Sequence, residues 1–159
     1  MTALGVARIR QVKLPVNDLR VSTDWYRRAL DLELAAEFHE GGVLRGVALA
    51  DRETGYVVAL RERAAVPGAP SVEGLDVFAL EVDSPDSLHA LVARWDEQGI
   101  EHTEILDSGP FGLGIDALDP DGIHVRFLCG NPIGQGGFHG FDFTDAGPAV
   151  YDVPRSLSL

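Results

Sequence analysis

The chain has 159 residues, 45% of them apolar, enough for one domain with a sizeable core and too apolar for a disordered chain. Its formal net charge of −12 argues against nucleic acid and anionic membranes as partners. No apolar run approaches a membrane span, the start lacks the apolar stretch of a signal peptide, and the single Cys129 leaves no internal disulfide, so we expect a cytoplasmic protein.

Residues 8–16 alternate. Val12, Leu14 and Val16 take one face, and Gln11, Lys13 and Pro15 take the other. A period of two predicts a strand with one face in a core. Asn17-Asp18 ends it and caps a predicted helix over 19–30. Leu19, Val21, Trp25, Tyr26, Ala29 and Leu30 recur there at helical spacing. Trp25 and Tyr26 are read as core, because aromatics on the apolar stripe of such a helix usually pack inward. Three strands are predicted next, near 32–38, 44–50 and 55–61, with Gly41-Gly42 and Asp51–Thr54 as turns. Residues 8–62 form this first unit, and the Pro- and Gly-rich residues 63–74 read as a linker.

The pattern then starts again over 75–129. Phe78–Ser84 echoes Val12–Asp18. Ser84 is a strong helix cap, Pro85 suits the first helical position, and Gly99 is the expected stop. Leu88, Leu91, Val92 and Trp95 form the apolar stripe between them. Strands are predicted near 100–106 and 113–118, separated by the loop Ser108-Gly109-Pro110-Phe111-Gly112. Asp119-Pro120-Asp121-Gly122 is a turn, in which Pro presets the backbone and Gly takes a positive φ. The last strand places Ile123, Val125 and Phe127 on one face and His124, Arg126 and Leu128 on the other. The chain is thus two copies of a βαβββ unit.

Two such units, the opening Val12-Lys13-Leu14-Pro15-Val16-Asn17-Asp18-Leu19, the Ser22-x-x-Trp25-Tyr26 helix and the final Asp-Pro-Asp-Gly hairpin resemble the vicinal oxygen chelate superfamily. That family includes glyoxalase I, extradiol dioxygenases, fosfomycin resistance enzymes and bleomycin-binding proteins. The resemblance spans residues 8 to 128. It implies an α+β fold, two tandem βαβββ modules forming a cupped mixed sheet with helices outside and a ligand inside. The inward faces would present Gln11, Lys13, Val57, Ala59, Arg61, Val77, Ala79, Glu81, His124, Arg126 and Leu128, with Phe111 also among the candidate ligand-binding residues.

In metal-using members, the resemblance implies His, Gln or Glu ligands on the first and last strands of each module. The residues here are Gln11, Ala59, Val77 and Arg126. Alanine and valine have no donor atom, and a guanidinium repels a divalent cation. We therefore expect no metal and no other cofactor. A displaced set, Gln11, Glu81 and His124, is the alternative.

Lys13, Arg61, Arg126 and His124 against Glu81 make a local positive surplus in the expected cup. Arg126 either anchors an anionic ligand or pairs with Asp116 on the neighbouring strand, and Arg61 and Lys13 either join it or lie at the rim. The function expected is metal-independent binding of a small, planar, anionic organic molecule, in the manner of glyoxalase- and bleomycin-resistance-like proteins. The alternative is an enzyme of the same family, a lyase, isomerase or dioxygenase, using Arg126 and His124 or the displaced metal set.

Residues 130–159 form a glycine-rich arm with too many glycines for a stable helix or central strand. Phe138, Phe141, Phe143 and Tyr151 are costly in a free tail, so the arm is a dimer clasp, a lid, or unstructured. We expect a homodimer. No nucleophile elbow, phosphate loop or Cys-x-x-Cys is present, and Cys129 is read as inert.

Overall fold

The computed structural model describes residues 4–109, 112–130 and 137–157. β1 (Gln11–Val16) alternates as its sequence does, with Leu14 and Val16 fully buried and Gln11 and Lys13 exposed. Asp18 opens α1 (Leu19–Leu30) by accepting hydrogen bonds from the amides of Arg20 and Val21, each at 3.0 Å. β2 (Glu33–Glu40), β3 (Val43–Ala50) and β4 (Val57–Glu62) follow in a sheet ordered β1-β4-β3-β2. Only β1 and β4 run parallel in it.

The second unit repeats this topology. β5 (Phe78–Glu81) leads to α2 (Pro85–Gln98), capped by Ser84 and stopped at Gly99 with φ 66°. β6 (Leu106–Asp107), β7 (Leu113–Leu118) and β8 (His124–Cys129) complete a sheet ordered β5-β8-β7-β6. The fold is α+β with two tandem βαβββ modules, as expected.

The two modules share one core. Tyr26 and Ala29 of α1 lie in the same apolar cluster as Leu14, Val58 and Leu60, and Trp95 of α2 joins Val125 and Phe127 to it. Trp25 and Tyr26 are buried there, so they are packing residues. The Trp95 indole donates to the carbonyl of Ala29 at 3.0 Å. The Tyr26 hydroxyl donates to Asp119 at 2.9 Å, and burial pushes this phenol far above its ordinary range. Burial also raises the Asp119 carboxyl. Asp119 Oδ1 accepts from the amides of Asp121 and Ile123, both at 2.8 Å, and Gly122 takes φ 75°, so the expected turn forms. Asp121 in turn accepts from the Asn17 amide at 2.9 Å and the Ser22 hydroxyl at 3.2 Å.

Two segments depart from the sequence reading. The strand expected near 100–106 shrinks to β6 and an isolated bridge between His102 and Ala117. Two backbone bonds remain, from the Thr103 amide to the Asp116 carbonyl at 2.8 Å and from the Leu118 amide to the Glu101 carbonyl at 2.9 Å; the Thr103 hydroxyl adds one by accepting from the Asp116 amide at 3.0 Å, and a His102 ring nitrogen lies 2.7 Å from the Thr103 carbonyl. That contact also raises the His102 pKa above its ordinary value. In the arm, where no strand is expected, β9 (Gly140–Thr144) and β10 (Gly147–Tyr151) pair antiparallel. Glycine helps rather than hinders here. A Cβ on Gly140 would lie 2.2 Å from the Tyr151 ring, so its absence lets that ring close over β9.

Candidate functional site

The face of each sheet turned away from its helix is where ligand chemistry is available. In the first module this face is floored by small residues. Cross-strand pairing sets Ala59 opposite Ala48, Ala48 opposite Ala36, and Gly46 between Arg61 and Phe38. Glycine suits position 46: a Cβ there would lie 2.9 Å from the Leu60 carbonyl oxygen, closer than side chains tolerate, while meeting Arg61 and Phe38 only at ordinary contact distance. The result is a half-open depression of about 380 Å³ lined by Lys13, Phe38, His39, Glu40, Ala59, Leu60 and Arg61. Arg61 pairs with Glu40 across it. Among the described residues, no carboxylate pairs with Lys13, which is exposed at the rim.

The second module carries a different arrangement. Asp116, 8% exposed, lies opposite Arg126 and accepts from Arg126 Nε at 2.8 Å and Nη2 at 3.0 Å. His124 Nδ1 lies 3.0 Å from Asp116 Oδ2, the oxygen that also accepts from Arg126 Nη2. The Arg126 hydrogen bonds, ahead of the His124 contact, hold Asp116 below the usual carboxylate range against its burial. Arg126 also pairs with Asp76. The pairing alternative for Arg126 is therefore the one the geometry shows, and two carboxylates face one guanidinium. The positive surplus expected across the cup shrinks to Lys13, since Arg61 and Arg126 are both neutralised locally. Because ionised Asp116 can only accept, it orients His124 with Nδ1 as the donor.

The candidate residues thus divide between two faces. Gln11, Lys13, Ala59 and Arg61 lie on β1 and β4, on the side away from α1. Val77 precedes β5, Ala79 lies beside Arg126, and Glu81 lies beside Leu128 in the parallel pair of β5 and β8. The 380 Å³ depression is lined from the first module alone. Phe111 lies outside the described residues. Phe38 and Glu40 are site residues that the sequence reading lacks.

The positions where the family resemblance implies metal ligands do not fit a divalent cation. Ala59 and Val77 have no donor, and the Arg126 guanidinium is cationic and already bonded. Among the described residues, no group of three or more His, Cys, Asp or Glu is placed to hold a metal. Among the described residues, no helix is long and apolar enough to cross a membrane.

Several solved structures share the fold. An antibiotic binding protein, TnmS3 from Streptomyces sp. CB03234, superposes with a TM-score of 0.65 at 20% identity, covering 80% of this chain and 98% of that one. A glyoxylase/bleomycin resistance protein/dioxygenase domain from Frankia sp. EAN1pec gives 0.66 at 24% identity, covering 80% and 94%. Lactoylglutathione lyase from Agrobacterium tumefaciens gives 0.62 at 18% identity, covering 79% and 96%. No curated protein sequence matches the chain. A family model does, over residues 8–127, and the chain belongs to the Glyoxalase/Bleomycin resistance protein/Dioxygenase superfamily.

Proposed function

We propose that the protein binds a small, planar, anionic organic molecule on the floor of the first module, without a metal. The observation that carries this is the depression between Phe38 and Lys13, lined by the small Ala59, with Ala48 and Gly46 as the next small residues across the sheet. A flat apolar body fits against alanines and glycine, and Phe38 offers it a ring. Lys13, with its charge uncommitted, supplies the anchor for an anionic group. We place the protein in the cytoplasm as a homodimer. Phe38 is 49% exposed, and Val77 and Leu128 are each 38% exposed, surface that pairing with a second copy would cover.

The probe 8-anilinonaphthalene-1-sulfonate, a planar aromatic anion whose fluorescence rises on apolar surfaces, tests this. Losing a charged contact costs about 1.5–3 kcal/mol, so Lys13→Met should weaken binding of the probe about tenfold or more. Ala59→Leu, which fills the floor, should do the same. If both variants bind the probe as the parent does, the site is elsewhere.

The absence of donors at Ala59 and Val77 gives a second expectation. Protein purified without chelators should contain well under one equivalent of zinc, nickel, iron or manganese by elemental analysis. Close to one equivalent per chain would overturn metal independence.

A further inference from the structure

We propose that His102 is a proton-operated clamp: its imidazolium fastens residues 100–106 to the end of α2 and, through Thr103, steadies the Asp116 cluster of the second module. The two ring nitrogens decide which form fits. One lies 2.7 Å from the Thr103 carbonyl oxygen, and the other lies 3.2 Å from Asp96 Oδ1. A carbonyl and a carboxylate only accept, so both nitrogens have to donate, and only the protonated ring donates from both. The neutral ring keeps one of the two bonds and turns a lone pair toward the other acceptor. The side chain is only 16% exposed, so water compensates poorly for the bond that is lost.

The surroundings favour the cation. α2 ends through Asp96 and Glu97 with no basic residue in its last turn, and a helix C-terminus attracts positive charge. His102 supplies that charge beside Asp96, while Arg28 of α1 reaches the same helix end at the Gln98 carbonyl, 3.4 Å away. From β7 the isolated bridge presents the buried, uncharged Ala117, and the flanking Glu101 and Glu104 are exposed. The Thr103 carbonyl, ahead of Asp96, raises the His102 pKa above its ordinary 6.5 against the effect of burial. The clamp therefore contributes fully below 6.5 and is lost as pH rises through the higher folded value. Thr103 carries the effect onward. Its amide donates to the Asp116 carbonyl at 2.8 Å, and its hydroxyl accepts from the Asp116 amide at 3.0 Å. The Asp116 carboxylate in turn holds Arg126 and His124. A proton on His102 thus bears on the backbone of the residue that orients both.

Proton NMR of the full chain, titrated from acid to alkaline pH, tests this, with the His102 ring signal assigned by its loss in His102→Gln. The ring should titrate above 6.5, and Asp96→Asn, at an exposed position, should lower its midpoint. Amide exchange gives the second readout. Protection of the Thr103 and Asp116 amides, corrected for the intrinsic rate, should fall by about two- to tenfold as the ring loses its proton, the range that one net hydrogen bond gives. His102→Gln should show the lower protection at every pH. His124 also touches Asp116, so the fall should persist in a His124→Gln background. A ring that titrates at or below 6.5, or a midpoint unmoved by Asp96→Asn, overturns the proposal. So does protection at Thr103 and Asp116 that stays constant across the titration, the result expected when His102 is only a packing residue.

Discussion

Trp95→Ala should remove about 4–5 kcal/mol of folding stability. Trp95 is fully buried, and its ring meets Phe127 edge-on with centroids 5.1 Å apart. Truncating a buried Trp to Ala typically costs about 3–5 kcal/mol through lost transfer energy and the cavity left behind. The indole also donates to the Ala29 carbonyl in the last turn of α1, where that carbonyl has no partner within the helix. Losing that bond adds about 1 kcal/mol. Total stability for domains of this kind is about 5–15 kcal/mol, so the variant should lie near the threshold of folding. Trp95→Phe keeps most of the apolar volume and should lose about 1–2 kcal/mol. Urea unfolding followed by circular dichroism gives both values. A loss below about 1.5 kcal/mol for the alanine variant would show that the modules are not joined through this residue.

The second large effect belongs to Asp116. Its side chain is 11% exposed and receives two bonds from Arg126 and one from His124. Asp116→Ala strands these donors, although Arg126 retains Asp76 and is 40% exposed. The partial exposure lowers the cost below that of a fully buried pair, to about 2–3 kcal/mol. The pH dependence has a definite sign. Asp116 titrates below its ordinary 3.8 in the folded state, because Arg126 and His124 favour the ionised form. Its contribution is therefore complete above 3.8 and is lost as pH falls through the lower folded value. The stability gap between parent and Asp116→Asn should be widest near neutrality and should close in acid. Asp119 has the opposite sign, since burial raises its carboxyl, but it is present in both proteins and cancels in the difference. Urea midpoints measured from neutral pH downward check this. A gap that widens in acid would assign the charge network the wrong role.

Much of the fold is legible in local chemistry. The alternation of Val12, Leu14 and Val16, the cap at Asp18, the Ser84-Pro85 start and the Gly99 stop each act over a few residues. The site is less legible, because its members meet through register. Phe38 reaches the depression through a shift in β2 pairing between Leu34 and Ala36, and a second shift between Phe38 and His39 sets the residues after it. Simple alternation does not carry across such bulges. Asp116 opposite Arg126 follows from a hairpin register, so it stands among the sequence alternatives. Asp76 comes from a loop with no periodicity, and only folding brings it to Arg126. In the arm, the glycine count hides the alternation of Phe141 and Phe143 with Asp142 and Thr144.

The ties from Asp121 to Asn17 and Ser22 have a consequence for the order of folding. Asn17 and Asp121 are separated by 104 positions. At a synthesis rate of about 5–20 residues per second, Asp121 is made about 5–20 s after Asn17. During that interval the first repeat has its own cap at Asp18 but lacks both Asp121 and the Asp119 partner of Tyr26. Its helix can pack on its own sheet, but the Tyr26 hydroxyl waits for the second repeat. Loop closure over such a span is slow compared with helix formation. Two units that look alike in outline are therefore unequal in time: the later one supplies the carboxylates, Asp119 and Asp121, that tie down the earlier one's capped helix.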